Sequence, residues 1–149
     1  MLRNMDDKYA CLKLENQLCF PLYAASREIL RKYTPLLKKL DLTYTQYIVM
    51  MVMWEEKKLT ISSLGKKLFL DTGTLSPLLK SMEAKGLISR CREKEDERVV
   101  NIKITKKGEE LKDMALEVPE KMFSCIQLPE KDATDLYRIL YNILAQSND

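Results

Sequence analysis

Apolar residues recur at helical spacing over residues 9–32, with Leu14, Leu18, Leu22, Ala25 and Ile29 falling on one side. That period predicts a long amphipathic helix. Pro21 interrupts it and predicts a lost hydrogen bond and a bent axis. Pro35 predicts the opening of a further helix in "TPLLKKL", with Thr34 as its N-cap. "LTYTQYIVMMVMWEE" reads as a helix capped near Thr43 or Thr45, apolar around enough of its surface to lie in the core. Thr60 can cap a short helix over residues 61–69, which "LDTG" breaks. Asp71 or Thr72 caps a second helix running to about Lys85, and Gly86 suits its C-terminal stop. Two helices joined by a short turn containing glycine form the helix-turn-helix pattern. Leu64, Leu68, Leu75, Leu78, Leu79 and Met82 can fill the space between them.

Past Gly86 the period shifts toward two. "LISRCRE" reads as a strand, and "VVNIKIT" alternates Val100, Ile102 and Ile104 against Asn101 and Lys103. The charged turn "EKEDER" between them would project as a wing. Thr105 caps a helical stretch with a break near Pro119, and Pro129 opens a last helix carrying Leu136, Ile139, Leu140 and Ile143. The expected fold is mainly α: a winged helix-turn-helix of five or six helices with one inserted hairpin.

The totals fit that reading. The chain has 149 residues, 46% hydrophobic and 32% charged, which suits one folded domain over residues 1–149 with a real core. Its longest apolar run, "YIVMMVMW", is too short for a bilayer span of ~20 residues. "MLRNMDDKYA" lacks the apolar stretch of a signal peptide, so a cytoplasmic location with no membrane partner is expected. The net charge of +3 is uneven: residues 80–107 carry +4 and residues 108–149 carry −5. A basic centre suits contact with a polyanion, although a mixed solvated surface gives the same pattern.

The start of the second helix of the pair offers Asp71, Thr72, Gly73, Thr74 and Ser76, with Lys80 completing the set. Small hydroxyls there can reach base edges or phosphates in a major groove. They can equally do no more than cap the helix. At the wing tip, Arg98 could enter a minor groove with Asp96 orienting its guanidinium, or the two could form a surface ion pair.

Four cysteines are present: Cys11, Cys19, Cys91 and Cys125. There is no histidine and no CxxC pair, so no zinc site and no cofactor are expected. A thiol reacts as its thiolate, which cations or a helix N-terminus favour. Cys19 falls mid-helix in this reading, with Glu15 and Tyr23 as its neighbours at four residues' distance. Locally it reads as a buried structural cysteine. Tyr23, Tyr33 and Tyr44 could alter that by supplying hydroxyl donors if the fold or a second subunit brings them close.

"LENQLCF", "SREILRKY", "LTYTQY", "LFLDTGTLSPLLKSMEAKGLISR" and "EKEDERVVNI" together resemble the MarR family of winged-helix regulators, and within it the organic-hydroperoxide-sensing, OhrR-like subgroup. The resemblance runs over nearly the whole chain. It implies a homodimer with a DNA-binding part at about residues 45–107 and pairing helices at about 8–40 and 108–146. It implies a repressor on a pseudo-palindromic double-stranded operator, released when an organic hydroperoxide or a related oxidant oxidises Cys19. Tyr33 and Tyr44 match the tyrosines that bond the reactive cysteine from the partner subunit, and Tyr23 matches a third nearby. Cys125 falls where some members carry a resolving cysteine; others finish with a small external thiol. Pro21 departs from the family pattern. The alternatives are a regulator of the same fold induced by an apolar or phenolic ligand, with Cys19 structural, and, further off, a thiol peroxidase.

Overall fold

The computed structural model describes residues 8–93 and 99–146. Residues 10–32 do not form one helix. Ala10–Leu12 and Leu14–Asn16 are single 3-10 turns, and helix α1 begins only at Cys19 and runs to Lys38. The cause is local: the Asn16 amide donates to the Ala10 carbonyl at 2.7 Å and the Gln17 amide to the Cys11 carbonyl. These side chains take carbonyls that a continuous helix would give to its own backbone. Pro21 therefore sits in the first turn of α1, where backbone N–H groups have no intrahelical acceptor and a missing one costs nothing. Pro35 likewise lies inside α1 rather than opening a helix, and the Thr34 hydroxyl donates back to Leu30 O at 3.2 Å instead of capping.

Helix α2 spans Tyr44–Glu56, and Thr43 is its cap. Gln46 N donates to Thr43 Oγ1 at 3.3 Å, while Thr43 N donates to Gln46 Oε1 at 3.1 Å. This reciprocal pair satisfies two donors of the first turn. The breadth of apolar surface on α2 is matched by its burial: Tyr47, Val49, Met50, Met53 and Trp54 are all in the core.

Strand β1, Lys58–Thr60, follows; its three residues are too few to show alternation in the sequence. Helix α3 (Ile61–Leu68) is capped by Thr60, whose hydroxyl accepts from Ser63 N at 3.1 Å. Helix α4 (Thr72–Ala84) is capped by Asp71. The turn between them places Phe69 in the left-handed region at φ 54°, and Gly86 stops α4 at φ 73°. Strands β2 (Ile88–Arg92) and β3 (Val100–Ile104) pair antiparallel, Ile88 opposite Ile104 and Arg92 opposite Val100. β3 also pairs with β1, so the wing is the edge of a three-stranded sheet ordered β1-β3-β2. Thr105 caps α5 (Lys106–Ala115) through Gly108 N at 3.1 Å. The break before α6 (Glu117–Cys125) falls at Leu116, and Pro119 again occupies a first turn, where it is harmless. α7 spans Glu130–Ala145.

The mainly helical winged helix-turn-helix class is as expected. Leu64, Leu75, Leu79 and Met82 are fully buried between α3 and α4, while Leu68 and Leu78 are half-buried beside them. Arg90 of β2 holds Glu83 of α4 with Nε at 2.9 Å and Nη2 at 2.7 Å, and its backbone N donates to Glu83 Oε1 at 2.8 Å. Both guanidinium N–H groups converge on Oε2 while Oε1 takes the backbone N–H, so three charge-assisted bonds hold the pair. Recognition helix and wing strand are thus clasped together. The two ends of the chain are different: α1 buries only Leu37, and α7 buries nothing. Leu14, Leu18, Phe20 and Leu22 near the start, and Leu136, Ile139, Tyr141 and Ile143 near the end, are exposed.

Gly65 lets α3 approach the turn before α4: a Cβ there would lie 2.6 Å from Leu70 O and 3.3 Å from Leu75 Cδ1. Gly65→Ala is expected to destabilise the fold by about 1–3 kcal/mol, as overpacking does. Urea unfolding of the two proteins, compared by midpoint at equal slope, checks this.

Candidate functional site

Cys19 is the first residue of α1 and is exposed, not buried mid-helix as its local sequence suggested. Its surroundings at four residues' spacing therefore differ from those expected: Glu15 lies in a separate 3-10 turn. One turn along, Tyr23 is exposed, and Arg27 donates to its hydroxyl at 3.4 Å with the guanidinium 5.6 Å from the ring centre. Arg27 was not singled out in the sequence. Its signal was present, since Tyr23 and Arg27 stand four apart on one helix.

Tyr33 and Tyr44 come together through their rings. Tyr33 is on the last half of α1 and Tyr44 is the first residue of α2; their rings meet edge to face at 4.9 Å. Tyr47, which sequence reading missed, joins them with its ring 6.1 Å from Tyr33. Burial raises the phenol of Tyr44 above its ordinary 10.0. Burial raises Tyr33 and Tyr47 too, with repulsion between neighbouring phenolates adding to it. All three are protonated at neutral pH, so each carries an O–H donor.

The structure does not bring Cys19 to this pair within one chain. Fourteen residues of continuous helix separate Cys19 from Tyr33, about 21 Å along the axis. Cys125, the last residue of α6, is exposed and lies near the tyrosine end of α1, where Lys32 Nζ donates to its carbonyl at 2.9 Å. It too is remote from Cys19 of the same chain. Cys11 and Cys91 are exposed free thiols elsewhere. Among the described residues no group of three or more His, Cys, Asp or Glu could hold a metal ion. No described helix is long and apolar enough to cross a membrane.

On the other side of the molecule, Asp71, Thr72, Thr74, Ser76 and Lys80 are all exposed. Thr72, Ser76 and Lys80 succeed one another at four-residue intervals and so share a stripe along α4. Asp71 uses both carboxylate oxygens locally: Oδ1 accepts from Thr74 N at 2.9 Å and Oδ2 from the Thr74 hydroxyl at 2.7 Å. Those bonds hold its carboxyl below the ordinary 3.8. The Ser76 hydroxyl donates to Thr72 O at 2.7 Å and keeps its lone pairs outward. Asp96 and Arg98 lie outside the described residues.

A half-open recognition helix clasped to a wing defines a DNA-binding winged-helix regulator. Comparison with known proteins makes this specific. The family Transcriptional regulator SarA/Rot matches residues 31–115. The organic hydroperoxide resistance transcriptional regulator of Bacillus subtilis is 46% identical over 140 residues, 94% of this chain and 95% of that protein. The regulator SarZ of Staphylococcus aureus is 43% identical over 136 residues, 91% and 92% of the two chains. Among solved structures, reduced AbfR bound to DNA superposes with a TM-score of 0.76 at 34% identity, covering 96% of this chain and all of that one. AbfR, a protein of Staphylococcus epidermidis, has also been solved in a disulfide-formed state, with a TM-score of 0.64 over 92% of this chain and 96% of that one. The chain belongs to the SarA/Rot family of winged-helix transcriptional regulators. It is a transcriptional regulator.

The raised phenols give a pH dependence with a definite sign. The unfolded chain's tyrosines ionise first, so their contribution is fully present below about pH 10 and is lost as pH rises through the higher folded values. Denaturant unfolding at about pH 8, about pH 10 and about pH 11 should show falling stability, and a shallower fall in Tyr33→Phe/Tyr44→Phe.

Proposed function

We propose that the chain is a homodimeric repressor, working in the cytoplasm, that releases a double-stranded operator when an organic hydroperoxide oxidises Cys19. The observation that carries this is the separation along α1. Cys19 stands at one end with its side chain accessible; Tyr33, Tyr44 and Cys125 gather toward the other. Two copies packed with their α1 helices antiparallel would bring each Cys19 to the other copy's tyrosines and to its Cys125. The exposed apolar faces around Leu14–Leu22 and on α7 supply the pairing surface, in keeping with association through segments 8–40 and 108–146. The named function of the Bacillus relative and the redox states of AbfR support the same reading.

In the step itself, the Cys19 thiolate attacks the terminal peroxide oxygen. The S–O bond forms and the O–O bond breaks; the sulfur becomes a sulfenic acid and the alkoxide leaves as the alcohol after taking a proton. Tyr33 and Tyr44, held protonated by burial, donate to the thiolate and then to the departing oxygen. Cys19 lies among the first residues of a helix, whose free N–H groups favour negative charge. Phe20, exposed beside it, favours an organic peroxide over hydrogen peroxide. The thiolate of Cys125 from the second copy then displaces hydroxide from the sulfenic sulfur and closes a disulfide; a small external thiol would do the same chemistry. The DNA-binding surface is α4, with Thr72, Thr74, Ser76 and Lys80 facing the groove, Asp71 holding Thr74 in place, and Asp96 and Arg98 acting from the wing. The operator is pseudo-palindromic, with half-sites about one helical turn apart, matching the two-fold axis of the dimer.

Fluorescence anisotropy on a duplex from upstream of the chain's own gene tests this. Cumene hydroperoxide should release the wild type and leave Cys19→Ser bound. Equal release of both proteins would overturn the reading. Non-reducing mass analysis should then find two chains joined through Cys19 and Cys125, and only monomer mass in Cys125→Ser.

A further inference from the structure

One polar cluster joins the tyrosine end of the molecule to the recognition helix. Gln46, in the first turn of α2, is only 4% exposed. Its Oε1 accepts from Thr43 N at 3.1 Å and from Lys85 Nζ at 3.4 Å, and its Nε2 donates to Ser81 Oγ at 3.3 Å. Ser81 lies in the last turn of α4, and Lys85 follows directly after it. Lys85 also donates to the Asp41 carbonyl and pairs with the Asp41 carboxylate at 3.1 Å. Asp41 stands at φ 51° in the turn between α1 and α2, a conformation that non-glycine residues adopt at a cost. Tyr44 follows Thr43 immediately. A short series of bonds thus runs from Thr43, the residue before Tyr44, to the far end of α4.

Gln46 has little freedom to break these bonds. A buried amide left without partners costs about 1–3 kcal/mol. Nor can the core between α2 and α4 absorb a shift, since Met50, Leu79 and Met82 are fully buried there. The turn itself has room on its outer side. An open cavity of about 360 Å³ lies beside it, with Leu30, Thr34, Leu37, Tyr44 and Lys85 among its walls. A shift of the start of α2 into that space would draw on the end of α4 through Gln46.

We propose that Gln46 is the positioning residue that couples the Tyr33–Tyr44 site to the recognition helix, through Ser81 and Lys85. Oxidation at Cys19 removes the hydrogen bonds that hold Tyr44, the first turn of α2 shifts, and Gln46 carries the shift to α4. The trigger rests on the peroxide-sensing reading above; the link itself does not.

Ser81 tests the link without removing a buried group. Three full-length proteins are compared: wild type, Ser81→Ala and Ser81→Thr, the last keeping the hydroxyl. Operator affinity is measured reduced and after cumene hydroperoxide, alongside the rate of Cys19 thiol loss. Ser81→Ala should oxidise at the wild-type rate and bind DNA within about twofold when reduced, while the change in affinity on oxidation shrinks at least about fivefold. Ser81→Thr should restore that change. A merely structural role would alter stability or reduced affinity and leave the oxidation response intact. A full response in Ser81→Ala would overturn the proposal.

A second arm needs no peroxide. Tyr44→Ala and Ser81→Ala are combined in a double-mutant cycle on operator affinity. Non-additive effects are expected, and additive effects would overturn the link. If oxidised wild type keeps its DNA, the sensing reading fails while this cycle still decides the coupling.

Discussion

A continuous α-helix of 20 residues holds its ends about 30 Å apart and cannot fold back on itself. The arrangement around α1 follows from that rigidity. The Asn16 and Gln17 amides set where α1 begins, so the accessible thiol of Cys19 lies at its very start. Tyr33 near its other end meets Tyr44 across the turn into α2. A single chain therefore keeps the Cys19 thiol apart from the Tyr33–Tyr44 pair. In the proposed dimer, the apolar surface exposed on α7 and before α1 would let a second copy bring them together.

The reading end depends on a different kind of constraint. α3 and α4 share a fully buried core, and the Glu83–Arg90 clasp adds the wing to the same body. Gly65 permits the close approach that sets the angle between the two helices. Caps by Thr60, Asp71 and Thr105 define where each element starts. Such a body meets DNA as a fixed shape. In the proposed dimer, its affinity for two successive half-sites would be set by how the body is oriented.

Much of this was legible in the sequence, because the deciding interactions are local. The Thr60, Asp71 and Thr105 caps, Gly86, and the alternation of β3 each lie within a few residues of the structure they dictate. Cys19, Tyr33 and Tyr44 were grouped into one site only through family resemblance, since no local pattern links residues so far apart on α1 and α2. Other features escaped for physical reasons. β1 is too short to show a period, and it exists because β3 offers it an edge. The break before Cys19 was set by two amide side chains whose targets lie six residues back. Pro21 and Pro119 were read as breaks and Pro35 as the start of a helix, but a helix tolerates proline where the lost N–H has no acceptor or where flanking packing holds the axis. Gln46 was visible as half of a capping box; its bond to Ser81, 35 residues on, was not.

The placement of contacts on α4 makes that helix a lever. Its load, the stripe from Thr72 to Lys80, begins at the N-terminal tip, while Ser81 and Lys85 anchor the opposite end. Thirteen residues give an arm of about 20 Å, so a tilt of about 5° at the anchor sweeps the tip through nearly ~2 Å. Hydrogen bonds to base edges fail over less than that. Under the proposed coupling, a displacement at the tyrosines too small to disturb the core would be magnified, by length alone, into the loss of a groove.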